Sequence, residues 1–269
     1  LISYKVKAED ALPIVDVMTL AATGSEYDCG GVISRTETND KIGYVDPLLY
    51  PVCSLLDPAY TETVNAKHTA AGVADAINHA MEQFFVNPSN SVADGFCKTL
   101  IKTLMKFGPV ALDHPDDYEA RAEIMLACTF GCNGLLNLGA GMSGWPMHGI
   151  EHALSAYYDI THGEGLAIIT PRWMRHDRTL ERFVKFGVDI YGISAELPPY
   201  EIAEQAIDKT YDFFRNTMRM PMTLREVGID ESRLKEIAAH IATNEGLDNP
   251  SIFAPLTEKD IYEILETSL

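Results

Sequence analysis

Gly72-Val73-Ala74-Asp75-Ala76-Ile77-Asn78-His79-Ala80-Met81-Glu82 is a run of small and apolar residues interrupted by Asp75 and His79, four positions apart. On a helix that spacing sends both side chains off one face, one turn apart. A second stretch, Met147-His148-Gly149-Ile150-Glu151-His152-Ala153-Leu154, repeats the device with two histidines, and His162 follows at an apparent loop-to-helix junction. An ionised carboxylate on an otherwise apolar helix costs several kcal/mol if buried alone. A divalent cation removes that cost, and mixed imidazole and carboxylate ligation suits Zn²⁺ or Fe²⁺. The bland reading is a solvent-facing Asp75 and hydrogen-bonded structural histidines. The two i, i+4 pairs together favour a metal site built between helices.

Working outward, the residues before Asp57-Pro58 read as strands and turns. Pro13–Leu20 and Val52–Leu56 are short apolar strands, the second expected to be buried, and Gly30–Arg35 pairs with Lys41–Val45 across a polar turn. From about Thr61 the pattern is helical. Expected helices are Ala66–Val86 (stopped by Asn87-Pro88), Ser91–Phe107 (capped by Ser91, ended by Gly108-Pro109), Asp116–Asn133, the His148 segment and Gly163–Met174 interrupted by Pro171. Arg178–Tyr191, Pro199–Thr217, Glu231–Asn244 and Glu258–Leu265 complete the set. The reading predicts a mainly α chain in two parts. Residues 1–58 would be the last strands of an incomplete α/β nucleotide-binding domain, and 59–269 an all-helical metal-binding domain.

Composition narrows the function. The 269 residues are 46% apolar without low-complexity tracts, enough for a substantial core. A formal charge of −18 argues against nucleic acid, whose phosphates call for basic clusters. No apolar run is long enough for a membrane span, and no basic segment leads into an apolar one at the N-terminus. Five cysteines without a paired framework suggest a reduced, cytoplasmic protein. Cys128 and Cys132, inside a helical pattern, read as core residues. His68, His114, His176 and His240 have no partner at ligand spacing. The flexible Gly139–Gly144 stretch lacks the lysine of a phosphate loop, and no Gly-x-Gly-x-x-Gly fingerprint occurs.

Thr19-Leu20-Ala21-Ala22-Thr23-Gly24-Ser25-Glu26, Leu56-Asp57-Pro58, Gly-x-x-Asp-Ala-x-x-His at 72–79, His-x-x-x-His at 148–152 and His162 occur in an order and spacing that resembles the iron-containing alcohol dehydrogenases, most closely their butanol-dehydrogenase-like, NADP-using branch. The resemblance covers essentially the whole chain. It implies Asp75, His79, His148 and His162 as ligands of Fe²⁺ (or Zn²⁺), and His152 as a proton relay near the substrate. It also implies Thr19, Thr23, Ser25 and Lys41 as residues lining the cleft for NADP or NAD. A small alcohol or aldehyde is the implied substrate, and a homodimer is expected by analogy. The chain begins at Leu1 and lacks the Gly-rich pyrophosphate loop, so an inactive or weakly active fragment of a longer dehydrogenase is expected. Asp28 stands where an asparagine is expected in this branch, and its charge would weaken nucleotide contact. Glycerol-dehydrogenase-like or dehydroquinate-synthase-like chemistry and a non-catalytic metal-binding protein are the alternatives.

Overall fold

A computed structural model of the chain describes residues 8–86, 90–139, 144–176, 180–249 and 255–269. The Asn87-Pro88 stop, most of the Gly139–Gly144 stretch and the Arg178 helix start lie outside them. Among the described residues, every strand precedes residue 56 and every α-helix follows residue 65. The strands are β1 (Val15–Val17), β2 (Gly30–Arg35), β3 (Asp40–Val45) and β4 (Cys53–Leu55). β1 pairs with β4 in parallel, Asp16 opposite Ser54, and β2 pairs with β3 as an antiparallel hairpin, Gly30 opposite Val45. Asn39, at positive φ, turns the hairpin, a conformation its short polar side chain tolerates.

The helices are α1 (Ala66–Val86), α2 (Ser91–Asp113), α3 (Tyr118–Thr129), α4 (Pro146–Tyr158), α5 (His162–His176), α6 (Leu180–Tyr191), α7 (Pro199–Asp212), α8 (Leu234–Asn244) and α9 (Glu258–Thr267). From Thr69 to Phe85 every residue of α1 is buried. A helix apolar on all sides belongs in a core, and α1 packs against α2, α3, α4, α5 and α6. Its far half joins Phe84 and Phe85 to Phe183, Phe186 and Trp173 in an aromatic cluster. Its near half carries Asp75 and His79. The Asn78 side-chain oxygen Oδ1 accepts the Thr170 hydroxyl from α5, a polar tie inside this core.

Several local expectations give way to packing. α2 runs through Gly108-Pro109 to Asp113, because Gly108 lies against Val73 and Met218 and that burial outweighs the lost amide. α5 likewise continues through Pro171, held by α1, α4, α7 and α9 on its sides. The cap of α2 is Asn90, whose Oδ1 accepts the amides of Val92 and Ala93, and not Ser91. α3 is shorter than expected at both ends, starting after the Asp117 cap and stopping at Thr129. That leaves Cys132 half-buried in a loop, while Cys128 is core. β4 is exposed where a buried strand was expected, as are Val15 and Val17 of β1. Among the described residues no helix packs extensively on this parallel pair, whereas parallel strands ordinarily carry helices on both faces.

Candidate metal centre

Three helices converge on one carboxylate oxygen. Asp75 Oδ1 lies 3.2 Å from His79 Nε2, 3.4 Å from His148 Nε2 and 3.5 Å from His162 Nε2. α1 supplies the first two side chains, the first turn of α4 supplies His148, and His162 opens α5. The ligating atoms of Asp75, His79 and His148 all lie within 4.8 Å of one another. Two glycines permit the approach. A Cβ on Gly163 would stand 2.0 Å from the Ala71 carbonyl oxygen, so only glycine lets the start of α5 touch α1 here. Gly131 allows the loop after α3 to lie on the His79 ring.

The cluster is largely buried and incompletely satisfied. Asp75, His79 and His148 are each more than nine-tenths buried. Asp75 Oδ1, His148 Nε2 and His79 Nδ1 have no hydrogen-bond partner. Buried polar atoms are ordinarily paired, and an orphan calls for an explanation. Two further buried carboxylates stand behind the rings, Glu82 on His148 Nδ1 and Glu151 on His162 Nδ1. With Asp75 they set three negative charges against the Lys41 ammonium, 3.6 Å from Glu151. A divalent cation among the inward nitrogens and Asp75 Oδ1 would neutralise the remainder and satisfy two of the orphans, so the donor set fits such an ion.

Burial alone would raise the Asp75 pKa, but the surrounding imidazoles outweigh it and hold the carboxyl well below its usual range. Burial depresses His79 to about 4 against the pull of Asp75. His148 moves the other way, up to about 10, because Glu82 and Asp75 on either side overcome its burial. Without a metal, the ring between two carboxylates favours its protonated form, and a cation held there would compete with that proton. His152 is pushed far down by burial and by neighbouring positive groups, so it stays neutral. Its ring lies 5.5 Å from that of His162 and 6.1 Å from that of His148.

The other expected site residues fall in different places. Lys41 comes off β3 into the cluster, with Nζ 3.4 Å from His162 Nδ1. Thr19, Thr23 and Ser25 are exposed on the loop after β1, and the Thr23 hydroxyl accepts the Ser25 amide. Among the described residues none of the three hydrogen-bonds to the histidine cluster. Gly72 seats their loop on α1, since a Cβ there would meet the Ala21 carbonyl at 2.5 Å. Asp28 is half-buried; burial, with the Glu26 charge adding to it, pushes its carboxyl up to about 6 against the hydrogen bond from the Gly30 amide.

Sequence reasoning missed Glu82, Glu151 and Trp145. Each glutamate follows a histidine by three positions, His79 and His148, a repeated His-x-x-Glu spacing that sets both groups on one face and was available as a signal. Trp145 stands edge-on to His79 and His148, at 6.0 and 5.2 Å between ring centres, and nothing in its spacing marked it. Two histidines read as partnerless have partners across the fold. His176 lies 3.2 Å from Asp260 and also near Glu263, and His240 lies 3.3 Å from Asp40.

Comparison with known proteins gives the same outline. Residues 69–269 match the model of the Fe-containing alcohol dehydrogenase family, C-terminal, and residues 2–58 match the iron-containing alcohol dehydrogenase model. NADH-dependent butanol dehydrogenase B of Clostridium acetobutylicum is 46% identical over 267 residues, which is 98% of this chain and 68% of that protein. NADPH-dependent aldehyde reductase YqhD of Escherichia coli is 34% identical over 262 residues, 95% of this chain and 66% of that protein. The crystal structure of NADH-dependent butanol dehydrogenase A from Thermotoga maritima superposes with a TM-score of 0.91 at 33% identity, covering 98% of this chain and 68% of that one. Carrying both family segments in order, at this level of identity to its relatives, the chain belongs to the iron-containing alcohol dehydrogenase family.

Proposed function

We propose that this protein is a metal-dependent alcohol dehydrogenase and aldehyde reductase, exchanging hydride between NAD(P)H and a small alcohol or aldehyde, with Asp75, His79, His148 and His162 holding Fe²⁺ or Zn²⁺. The observation that carries the reading is the convergence of three imidazole Nε2 atoms on the orphaned, buried Asp75 Oδ1. When bound, the metal supplies Lewis acidity toward a carbonyl or hydroxyl oxygen, and the nicotinamide supplies the hydride chemistry.

The chain's own residues do the rest. Asp75 and the three histidines fix where the substrate oxygen sits. Trp145, against two of those rings, gives that place an apolar wall and excludes water. His152, its ring beside those of His148 and His162, stands where it would relay the proton released in oxidation and return one in reduction. The Thr19, Thr23 and Ser25 hydroxyls offer hydrogen bonds to ribose or phosphate from the loop on α1. The relatives are named for NADH in one case and NADPH in the other, so both belong in the assay. A homodimer, read by sedimentation, is part of the proposal, as is a cytoplasmic location, which the five free cysteines support.

The chain spans 68% of the length of its butanol dehydrogenase relative. Metal binding and turnover are therefore separate measurements. The first is metal content by plasma mass spectrometry after anaerobic, chelator-free purification, where about one Fe or Zn per chain is expected. The second is butyraldehyde-dependent oxidation of NADH and NADPH. No metal above trace, even after reconstitution with Fe²⁺ and Zn²⁺, refutes the site.

A further inference from the structure

We propose that Glu82 and Glu151 are positioning residues that commit His148 and His162 to metal ligation through Nε2; the inference rests on the metal reading above. Both side chains are fully buried. They form a chain of hand-offs. Glu82 on α1 reaches His148 on α4, and Glu151 on α4 reaches His162 on α5. Each thus ties one helix to the ligand carried by the next.

The two oxygens of Glu82 have different tasks. Oε1 accepts the amides of Met147, at 2.5 Å, and His148, at 3.1 Å, in the first turn of α4. Those amides have no partner within their helix, and the positive end of the helix favours a carboxylate there. Oε2 meets His148 Nδ1. The cap fixes the carboxylate, and the carboxylate fixes the ring. Glu151 is held on one oxygen by the Ser155 hydroxyl, and its other oxygen meets His162 Nδ1, with the Lys41 ammonium nearby.

An ionised carboxylate without solvent needs donors, and the imidazole offers one only if Nδ1 carries the proton. That tautomer leaves the Nε2 lone pair facing Asp75 and makes it more basic. His79 differs. Its Nδ1 has no hydrogen-bond partner, and its ring is held by stacking on His148 at 4.8 Å between centres. Two of the three imidazoles are therefore oriented by buried charge and the third by packing.

The test is Co²⁺ titration of the full chain, followed through the metal's visible absorption, for the parent and for Glu151→Gln. Loss of such an outer partner typically weakens metal binding about 10–100-fold. The expected result for E151Q is a fall of about tenfold or more, with displaced absorption bands and a metal-free protein that still unfolds cooperatively. Parent-like affinity and spectrum in E151Q overturn the inference while leaving the metal site standing. A parent that binds neither Co²⁺ nor Zn²⁺ overturns both. Long-range ¹H–¹⁵N spectra of the Zn²⁺-loaded parent give a variant-free check: protonated Nδ1 on both His148 and His162 is expected, and coordination through either Nδ1 refutes the proposal.

Discussion

Gly163→Ala separates the metal site from the fold that surrounds it. The new Cβ would stand 2.0 Å from the Ala71 carbonyl oxygen, whereas ordinary contact begins near 3.4 Å, so the first turn of α5 must retreat from α1 by about 1.4 Å. His162 Nε2 starts 3.5 Å from Asp75 Oδ1, and Asp75 lies one turn along α1 from Ala71. The same retreat opens that distance to about 4.9 Å. Two ligands bound to one ion at about 2.1 Å each stand at most about 4.2 Å apart. His162 then falls outside the coordination sphere. Overpacking of this kind also costs about 1–3 kcal/mol, a fall of about 2–12 °C in melting temperature for a chain of this size. The assay is Zn²⁺ titration calorimetry, with melting of the metal-free form measured in parallel. Gly95→Ala on α2 is the control: nothing lies within 4 Å of its Cβ position, so it gains helix propensity of about 0.5–1 kcal/mol and leaves metal binding alone. Parent-like Zn²⁺ affinity in G163A would refute the argument that backbone approach at Gly163 sets the position of His162.

Other outcomes follow from the same geometry. Saturating metal, at about 100 times its dissociation constant, stabilises the parent by about 2.7 kcal/mol; a chelator reverses the gain, and His148→Gln reduces it, whereas an equal gain in H148Q would remove His148 from the ligand set. Asp94 and Arg182 form a buried ion pair at 2.8 Å, so Asp94→Ala strands a buried guanidinium and costs about 3 kcal/mol or more in urea unfolding; a loss below about 1 kcal/mol would contradict this. The Asp28 carboxyl, raised to about 6 from 3.8, disfavours folding when ionised, a penalty complete above about pH 6 and absent below about pH 4. Asp28→Asn therefore stabilises by roughly 1 kcal/mol at pH 8, after discounting for its partial exposure, and converges with the parent by pH 4. A pH-independent difference would show that burial of the charge is not the cause.

Much of the fold was legible because helical periodicity is a local property. The bounds of α1 could be read to the residue, since its helical pattern of apolar residues is long and bounded by a loop before and a proline after. Prolines misled where packing overrode them, at Pro109 and Pro171. The expected burial of β4 failed because burial depends on what lies over a strand. At the candidate site, i, i+4 spacing singled out Asp75 with His79 and His148 with His152, because such pairs share a helix face, whereas His162 was reached through its place after the second pair and the family resemblance. The same rule applied at i, i+3 marks Glu82 and Glu151, although it cannot say which histidine each one meets.

The sequence by itself determined the helical character of everything after the first strands, the likeness to a family and the residues able to chelate. Tertiary structure decided the pairing: Glu82 with His148 and not His79, Glu151 with His162, Lys41 with Glu151, and Trp145 over the rings. The reason is range. Periodicity and i, i+4 geometry act along one helix, whereas the hand-offs from α1 to α4 to α5 depend on how closely separate helices approach, and at Gly163 that approach is set by the absence of a single Cβ.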